Sequence, residues 1–313
     1  MKTQKILAAL QQRFLSMAAL ACLLVVSPIT GQGAPAASIE TFPAGGGPSG
    51  ITFDGSNIWV VDILDDAVTK LRGSDGTILG TFAVGFFPDR ITFDGENVWV
   101  GNYGENTVTK LRASDGTLQG TFPVGVNPEG LLFDGSNIWV ANLRSDSVTK
   151  LRASDGAVLG TFPVKDGAAD LAYDGSVLWV TVSGGFSRLQ ASDGMLLDNH
   201  KLASVTGGIA FDGRNMWISS LDDSLYIFRD ADVNFLGKVR VGDYPLYSIF
   251  DGSSIWVADL NRDTVSRINP HSRTIQNVFP TGDRPAGLVF DGSSVWVSNN
   301  GSDTVTKITP GQP

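Results

Sequence analysis

The chain has 313 residues, of which 42% are apolar and 18% charged, a composition typical of folded globular proteins. Its formal net charge is −9; the first 34 residues hold three basic residues and no acidic one, so the remainder carries −12. The negative charge of this part of the chain disfavours phosphate backbones and anionic lipid surfaces as partners. We therefore predict no nucleic-acid binding.

The amino terminus has the pattern of an export signal. Lys2, Lys5 and Arg13 accompany an apolar run at residues 14–26, and small residues near Ala34 suit cleavage. The alternative, an uncleaved anchor, is disfavoured because the run is shorter than the ~20 residues that a membrane-spanning helix needs. We therefore predict a signal peptide at residues 1–36, a mature domain at 37–313 without a membrane span, and a secreted, periplasmic or cell-surface location.

The only cysteine, Cys22, lies inside this apolar run, which continues to Val26. A lipid-acceptor cysteine would end the run, so we do not expect lipidation. The predicted mature chain has no cysteine, which fits an oxidising compartment. Disulfides, thiolate metal sites and thiol nucleophiles are thereby excluded from its chemistry.

A ten-residue stretch at residues 51–60, ITFDGSNIWV, recurs six more times along the chain. The copies are separated by 40, 40, 40, 38, 39 and 40 residues, a period that indicates a repeat architecture. Each copy contains one of the seven tryptophans of the protein, which are Trp59, Trp99, Trp139, Trp179, Trp217, Trp256 and Trp296.

Each unit contains four short segments with strand character. In the first unit they are strand a (51–53), strand b (58–61), strand c (68–71) and strand d (79–84). Asp-Gly pairs separate a from b and c from d, because tight hairpins need the positive φ that glycine allows. Strand b is apolar at successive positions, as expected for a strand buried on both faces. The pattern predicts an all-β, seven-bladed β-propeller built from four-stranded antiparallel blades.

The two ends of the chain predict how the ring closes. The last unit stops after strand c, whereas residues 38–45 match the sequence of strand d in other units, such as residues 118–125. We expect the amino-terminal strand to complete the seventh blade and to remove an open sheet edge.

A family resemblance follows from strand b and its surroundings. The pieces WVGN at 99–102, WVAN at 139–142 and WVSN at 296–299, each followed by a loop and VTKL or VTKI, resemble the YVTN-type β-propeller repeat. The resemblance covers essentially the whole mature chain and implies an exported or cell-surface propeller. It implies little about activity, because relatives include binding proteins, lactonases and proteins without a known reaction. The Trp-Asp signature of WD40 blades is absent from the units.

Propellers of this kind usually place ligands at the mouth of the central channel, on the face of the d-to-a and b-to-c loops. The residues just before each strand a vary most between the units, and bulky Phe86 and Phe87 lie nearby. Two interpretations stay open here: ordinary solvated loop residues, or a partly aromatic polar rim that binds a ligand. The candidate rim residues are Asp89, Arg90, Glu129, Asp170, Tyr244, Tyr247 and Arg284.

Polar residues also stand three positions after most tryptophans, including Asp62, Asn102 and Asn142. We interpret them as caps of neighbouring turns. A ring of oxygens around Ca²⁺ is the alternative, but no contiguous calcium-loop motif supports it, and we predict no cofactor. The recurring basic residues of strand c, such as Lys70, are interpreted as outer positions that serve blade structure and solubility.

The sequence favours a non-catalytic binding scaffold over an enzyme. Its two histidines, His200 and His271, fall in strand d and in a c-to-d turn, away from the channel mouth, so a catalytic triad or histidine-ligated metal is not expected. Antibiotic-lyase propellers have a similar period but use histidines near the mouth. The expected partner is a protein, glycan or small molecule bound to a monomer, and no catalytic residue is assigned. A metal-assisted hydrolase, lactonase or lyase with rim carboxylates is the alternative function.

Overall fold

The computed structural model describes residues 36–204 and 206–311, so residues 1–35 of the predicted signal peptide lie outside it. This described part contains 28 β-strands and no helix, and accordingly no helix in it could span a membrane. In chain order the strands are β1 (Ser38–Pro43), β2 (Pro48–Phe53), β3 (Asn57–Asp62), β4 (Ala67–Arg72), β5 (Ile78–Ala83), β6 (Pro88–Phe93), β7 (Asn97–Asn102), β8 (Thr107–Arg112), β9 (Leu118–Pro123), β10 (Pro128–Phe133), β11 (Asn137–Asn142), β12 (Ser147–Arg152), β13 (Val158–Pro163), β14 (Leu171–Tyr173), β15 (Val177–Val182), β16 (Gly185–Gln190), β17 (Leu196–Lys201), β18 (Thr206–Phe211), β19 (Asn215–Ser220), β20 (Ser224–Arg229), β21 (Phe235–Arg240), β22 (Pro245–Phe250), β23 (Ile255–Asp259), β24 (Thr264–Asn269), β25 (Thr274–Pro280), β26 (Pro285–Phe290), β27 (Val295–Asn299) and β28 (Thr304–Thr309).

The strands form seven separate four-stranded antiparallel sheets, as the sequence predicts. Six sheets follow the chain order, beginning with β2-β3-β4-β5, and the seventh has the order β1-β28-β27-β26. The first strand of each blade contacts its counterpart in both neighbouring blades, and β26 contacts β2. These inner strands therefore form a closed ring around a central channel, while outer strands such as β5 are largely exposed. The prediction of a seven-bladed propeller is confirmed.

Closure of the ring by the amino-terminal strand is also confirmed. β1 pairs antiparallel with β28 over its whole length, from Ser38 opposite Thr309 to Pro43 opposite Thr304. The ring of Phe42 stacks on Trp296 with 5.5 Å between centroids. Trp296 in turn packs with Ile51, Val60 and other residues of the first blade. The two chain ends are thus joined by hydrogen bonds and by an apolar core.

The aspartate of the turn between the first two strands anchors both the turn and the tryptophan. In the first blade, Asp54 Oδ1 accepts hydrogen bonds from the amides of Ser56 and Asn57 at 2.9 and 2.7 Å. Its Oδ2 accepts from the Trp59 indole N–H at 2.9 Å. Since the Trp59 side chain is fully buried, its N–H needs such a partner, and each of these bonds to a charged acceptor contributes roughly 1.5–3 kcal/mol.

The same indole-to-carboxylate bond is present in six of the seven blades, at 2.6–2.9 Å. The fourth blade differs because Asp174 faces Asp230 of the next blade. Burial, followed by the repulsion from Asp174, raises the pKa of Asp230 to about 6. The recurring Phe-Asp-Gly motif therefore specifies a hairpin turn and also supplies the aspartate that accepts a hydrogen bond from the tryptophan indole.

Lys70, Lys110 and Lys150 of strand c are buried and Lys307 is half-buried, which corrects their interpretation as outer, solubilising residues. Lys70 is 7% exposed and its Nζ lies 4.9 Å from the centre of the Trp59 ring. It donates a 2.6 Å hydrogen bond to the carbonyl of Ala113 in the next blade. Lys110, Lys150 and Lys307 make the equivalent bond to the blade that follows each of them. These lysines serve blade structure by linking adjacent blades across the core.

The polar residues three positions after the tryptophans do cap neighbouring turns. Asn102 Oδ1 accepts from the amide of Gly85 at 3.1 Å, and its Nδ2 donates to Thr109 Oγ1 at 2.8 Å. Asp62 accepts from Gly45 N and Thr69 Oγ1 in the same way. Burial raises the pKa of Asp62 to about 6, against the effect of these hydrogen bonds.

Candidate functional site

The innermost strands carry the residues that face the channel. At the position of Gly50, glycine and large side chains alternate from one blade to the next. At four of the seven positions that correspond to Gly50, a Cβ atom would approach a backbone oxygen of the adjacent inner strand to 2.4–2.8 Å, so only glycine fits. The other three positions hold a cation, an anion and an aromatic ring. In blade order the seven residues are Gly50, Arg90, Gly130, Asp170, Gly208, Tyr247 and Gly287.

Most of the predicted rim residues lie inside the inner strands and not in the loops before them. Asp89 and Arg90 belong to β6, Glu129 to β10 and Tyr247 to β22, whereas Asp170 directly precedes β14. The sequence estimate of strand a, residues 51–53, was too short, because the observed strand begins at Pro48. A shift of register between Pro48 and Ile51 explains why the apolar pattern begins later than the strand does.

Arg90 reaches across the channel. Its Cζ lies 3.6 Å from the centre of the Tyr247 ring, although Arg90 belongs to the second blade and Tyr247 to the sixth. On its own side, Arg90 Nη1 lies 4.0 Å from Asp89 Oδ1 and 3.4 Å from Ser49 Oγ. Ser49 Oγ also donates to Asp89 Oδ1 at 2.5 Å. A guanidinium group therefore stands among polar residues from opposite sides of the ring.

Two further carboxylates face this guanidinium. Asp170 Oδ2 accepts a 3.0 Å hydrogen bond from the amide of Ile209, and its pKa is raised by burial against the opposing effect of Arg90. Burial also raises the pKa of Glu129 to about 7; Asp89 adds to this effect and Arg90 opposes it. We call Asp89, Arg90, Glu129, Asp170 and Tyr247 the channel cluster. Burial is the main cause of the incomplete ionisation of Glu129 near neutral pH, and repulsion from Asp89 and Asp170 adds to it.

A cavity of about 210 Å³ opens onto the channel cluster. Glu129, Asp170 and Tyr247 line it together with Tyr244, which is 36% exposed. Tyr244 has a φ of +63°, a left-handed backbone conformation that costs roughly 1–3 kcal/mol for a residue other than glycine. Six of the seven predicted rim residues therefore lie around one channel and its cavity.

Arg284 is the predicted rim residue that the structure does not bring to this cavity. It is exposed, and its side-chain Cδ lies beside Gly301 in the loop between β27 and β28. Its backbone amide donates to Asp263 Oδ1 at 2.8 Å. Arg284 therefore contributes to packing between loops.

Ser49 is not among the predicted rim residues, although it is 3% exposed and hydrogen-bonded to Asp89 of the channel cluster. A signal was present in the sequence, since Ser49 occupies the same position in its unit as Asp89 and Glu129 do in theirs.

The two histidines lie away from the channel cluster. His200 lies in the outer strand β17, and His271 lies between β24 and β25 on the opposite face from the channel mouth. Within residues 36–204 and 206–311, no three or more His, Cys, Asp or Glu side chains are grouped in a way that could hold a metal ion. In the channel cluster the Arg90 guanidinium stands among the carboxylates.

Comparisons with known proteins identify the fold but not a family. No family model matches the chain, and no curated protein matches it. Among solved structures it is similar to the hydrazine synthase of Kuenenia stuttgartiensis, with a TM-score of 0.75 and 16% sequence identity. The match covers 84% of this chain and 95% of that chain. At this level of identity the likeness shows a shared β-propeller fold and carries no information on activity.

Proposed function

We propose that the protein is an exported, non-catalytic binding propeller that recognises a small organic cation at the mouth of its channel. One observation carries the proposal: Glu129 and Asp170 line the same cavity as the rings of Tyr244 and Tyr247. Carboxylates and aromatic faces both attract an ammonium ion in proteins. The cavity of about 210 Å³ lies below the ~300–1,000 Å³ of typical ligand pockets, which suits a small amine.

The charge of the channel cluster supports a cationic ligand. Burial raises the pKa values of Glu129 and Asp170, and Arg90 alone does not supply enough counter-charge to reverse that rise. A bound ammonium group would supply that charge, and it would lower the pKa of Glu129. Since Glu129 must ionise to contribute fully, affinity should fall as the pH decreases through about 7.

Export and the type of repeat belong to the same proposal. The basic and apolar pattern of residues 2–26 supports export. The resemblance of the WVGN, WVAN and WVSN pieces to the YVTN-type repeat supports a propeller that works outside the cytoplasm. Both features suit a protein that collects or presents a small ligand at the cell surface.

Acid–base catalysis is the second candidate function, because one observation favours it. A carboxyl group whose pKa lies near 7 can both donate and accept a proton at neutral pH, and Glu129 has this property. Asp170 would then serve as a second, hydrogen-bonded carboxyl group. This candidate corresponds to a hydrolase or lyase that uses channel carboxylates.

A calorimetric titration with amines tests the proposal. Putrescine and tetramethylammonium should bind the wild-type protein at pH 8, and about tenfold more weakly at pH 6, where roughly a tenth of a group with a pKa near 7 is ionised. The double variant Glu129→Gln/Asp170→Asn should lose at least tenfold in affinity while it retains the Arg90–Asp89 contact. Glu105→Gln, at an exposed position in a neighbouring loop, is the matched control and should bind like wild type.

The same proteins separate the two candidate functions. Absence of amine binding at pH 8, or equal binding by the double variant, would contradict the binding proposal. Hydrolysis of a simple lactone by wild type that is lost in Glu129→Gln would instead favour acid–base catalysis.

A further inference from the structure

A second cavity lies between the fifth and sixth blades, on the face of the c-to-d turns, opposite the channel mouth. Its volume is about 590 Å³, and its walls come from β20, β21, the a-to-b turns of both blades and the turn before β25. We call it the 5/6 crevice. Corresponding residues of the first and second blades line a crevice of about 480 Å³, which serves as an internal reference.

Replacement of repeat residues shapes the 5/6 crevice. Ile227 pairs with Trp217 as Lys70 pairs with Trp59, so the fifth blade lacks the lysine that links most blades to the next. Val239 stands where the first blade has Phe82. Ile227 in place of lysine removes a polar link between the fifth and sixth blades, and Val239 in place of phenylalanine removes side-chain volume from their contact.

Arg273 uses the space that these replacements leave. It occupies the turn position of Gly76, where a Cβ atom would lie 2.2 Å from the ring of Phe42 in the preceding blade. With valine in place of that phenylalanine, an arginine is accommodated, and its Nη1 donates to the carbonyl of Leu236 at 2.6 Å. The φ of Arg273 is +58°, a conformation that glycine adopts more readily. The sixth blade therefore has a charged residue at a position where the repeat favours glycine.

The lining of the 5/6 crevice is cationic. Arg214, Arg229 and Arg273 line it with His271, against the single carboxylate of Asp212. Asp212 is engaged by the Trp217 indole at 2.8 Å, and Arg229 pairs with the exposed Asp232 at 3.0 Å. Within the described residues, Arg214 and Arg273 form no ion pair.

The reference crevice differs in charge. It has serine at the position of Arg214 and an acidic residue, Glu96, at the position of Ser253. Its cations, Lys70 and Arg112, are balanced by Asp54 and Glu96. The cationic lining of the 5/6 crevice is therefore absent from the reference crevice.

We infer that the 5/6 crevice binds a small anion that carries a phosphate or sulfate group. Guanidinium groups present planar pairs of N–H donors that match the oxygens of these anions. Phe250, Leu236 and Pro270 add an apolar wall, so a phosphate or sulfate ester with an organic part fits better than a bare ion. A crevice of this charge on a strongly acidic protein concentrates anions at one place on its surface.

Titration with inorganic pyrophosphate, with sulfate and with phenyl phosphate tests this inference. The variant Arg214→Ser/Arg273→Gly restores the residues of the first blade at both positions and should fold normally, because glycine relieves the positive φ. We expect pyrophosphate and phenyl phosphate to bind wild type at low ionic strength, and the affinity of the double variant to be at least tenfold lower. Arg112→Ser, in the reference crevice, is the matched control and should bind like wild type.

Three outcomes would overturn the inference. They are absence of binding by all three probes at low salt, equal binding by the double variant, and an equal loss of affinity in Arg112→Ser. Tighter binding of phenyl phosphate than of sulfate would support the role of the apolar wall. Because neither variant alters the channel cluster, amine binding provides a separate check that the variant protein is intact.

Discussion

Deletion of residues 36–46 should lower the melting temperature of the propeller by about 10 °C or more. The deletion removes β1, which supplies the outer strand of the seventh blade. It exposes the edge of β28 and removes the Phe42 ring that stacks on Trp296. Loss of a core phenylalanine costs about 3–5 kcal/mol; Phe42 is half-buried, so its own share is smaller, and the lost pairing of β1 with β28 adds to it. Each kcal/mol corresponds to roughly 2–4 °C in a protein of ~150–250 residues.

Circular dichroism during heating provides the measurement. The control is a chain that begins at Ala37, which retains β1 and should melt like the longer protein. Phe42→Ala keeps the strand and should give an intermediate melting temperature, which separates the contribution of the ring from that of the backbone pairing. An unchanged melting curve after deletion of residues 36–46 would show that β1 does not stabilise the closed ring.

Arg90→Ala should destabilise the protein by about 3–5 kcal/mol at pH 8, the usual cost of leaving buried charges without a partner. Arg90 opposes the rise in pKa of both Glu129 and Asp170, so its removal should raise both pKa values further. A carboxyl group whose pKa is raised in the folded state stabilises that state at low pH, and this contribution is lost as the pH rises through the folded-state pKa. The loss in free energy of unfolding caused by Arg90→Ala should therefore be much smaller at pH 5 than at pH 8.

Urea unfolding at the two pH values provides the measurement. Arg152→Ala is the control, because Arg152 forms an exposed pair with Asp155 at 2.9 Å and such pairs contribute about 0–1 kcal/mol. If the loss in free energy of unfolding caused by Arg90→Ala were the same at both pH values, Arg90 would not stabilise the ionised channel carboxylates.

The sequence determines the fold because its repeats combine several consistent local signals. The tryptophan period, the Asp-Gly turns and the strand d sequence at residues 38–45 predicted seven blades and their closure, and both predictions were confirmed. The pairing of Asp54 with the Trp59 indole was not predicted, because a five-residue separation says nothing about side-chain direction across a hairpin. The burial of Lys70 was also missed, since its partner carbonyl belongs to the next blade.

The channel cluster was predictable in composition but not in arrangement. Variation before strand a pointed to Asp89, Glu129 and Asp170, and the structure places all three near Arg90. The contact of Arg90 with Tyr247 spans opposite sides of the ring, so it depends on the channel width and not on local sequence. The alternation of glycine with large residues would have indicated which side chains enter the channel. Arg284 could not be separated from them, because its exposed position depends on loop packing.

The most direct test of a cation-binding site at the channel mouth is a nuclear magnetic resonance titration of the Glu129 side-chain carboxyl carbon, without and with tetramethylammonium. We expect Glu129 to have a pKa of about 7 in the free protein and a lower pKa when the amine is bound, because a cation beside the carboxylate favours its ionised form. Glu129→Gln identifies the resonance. A pKa near the ordinary value of 4.5 that does not change with the amine would contradict a cation-binding site at the channel mouth.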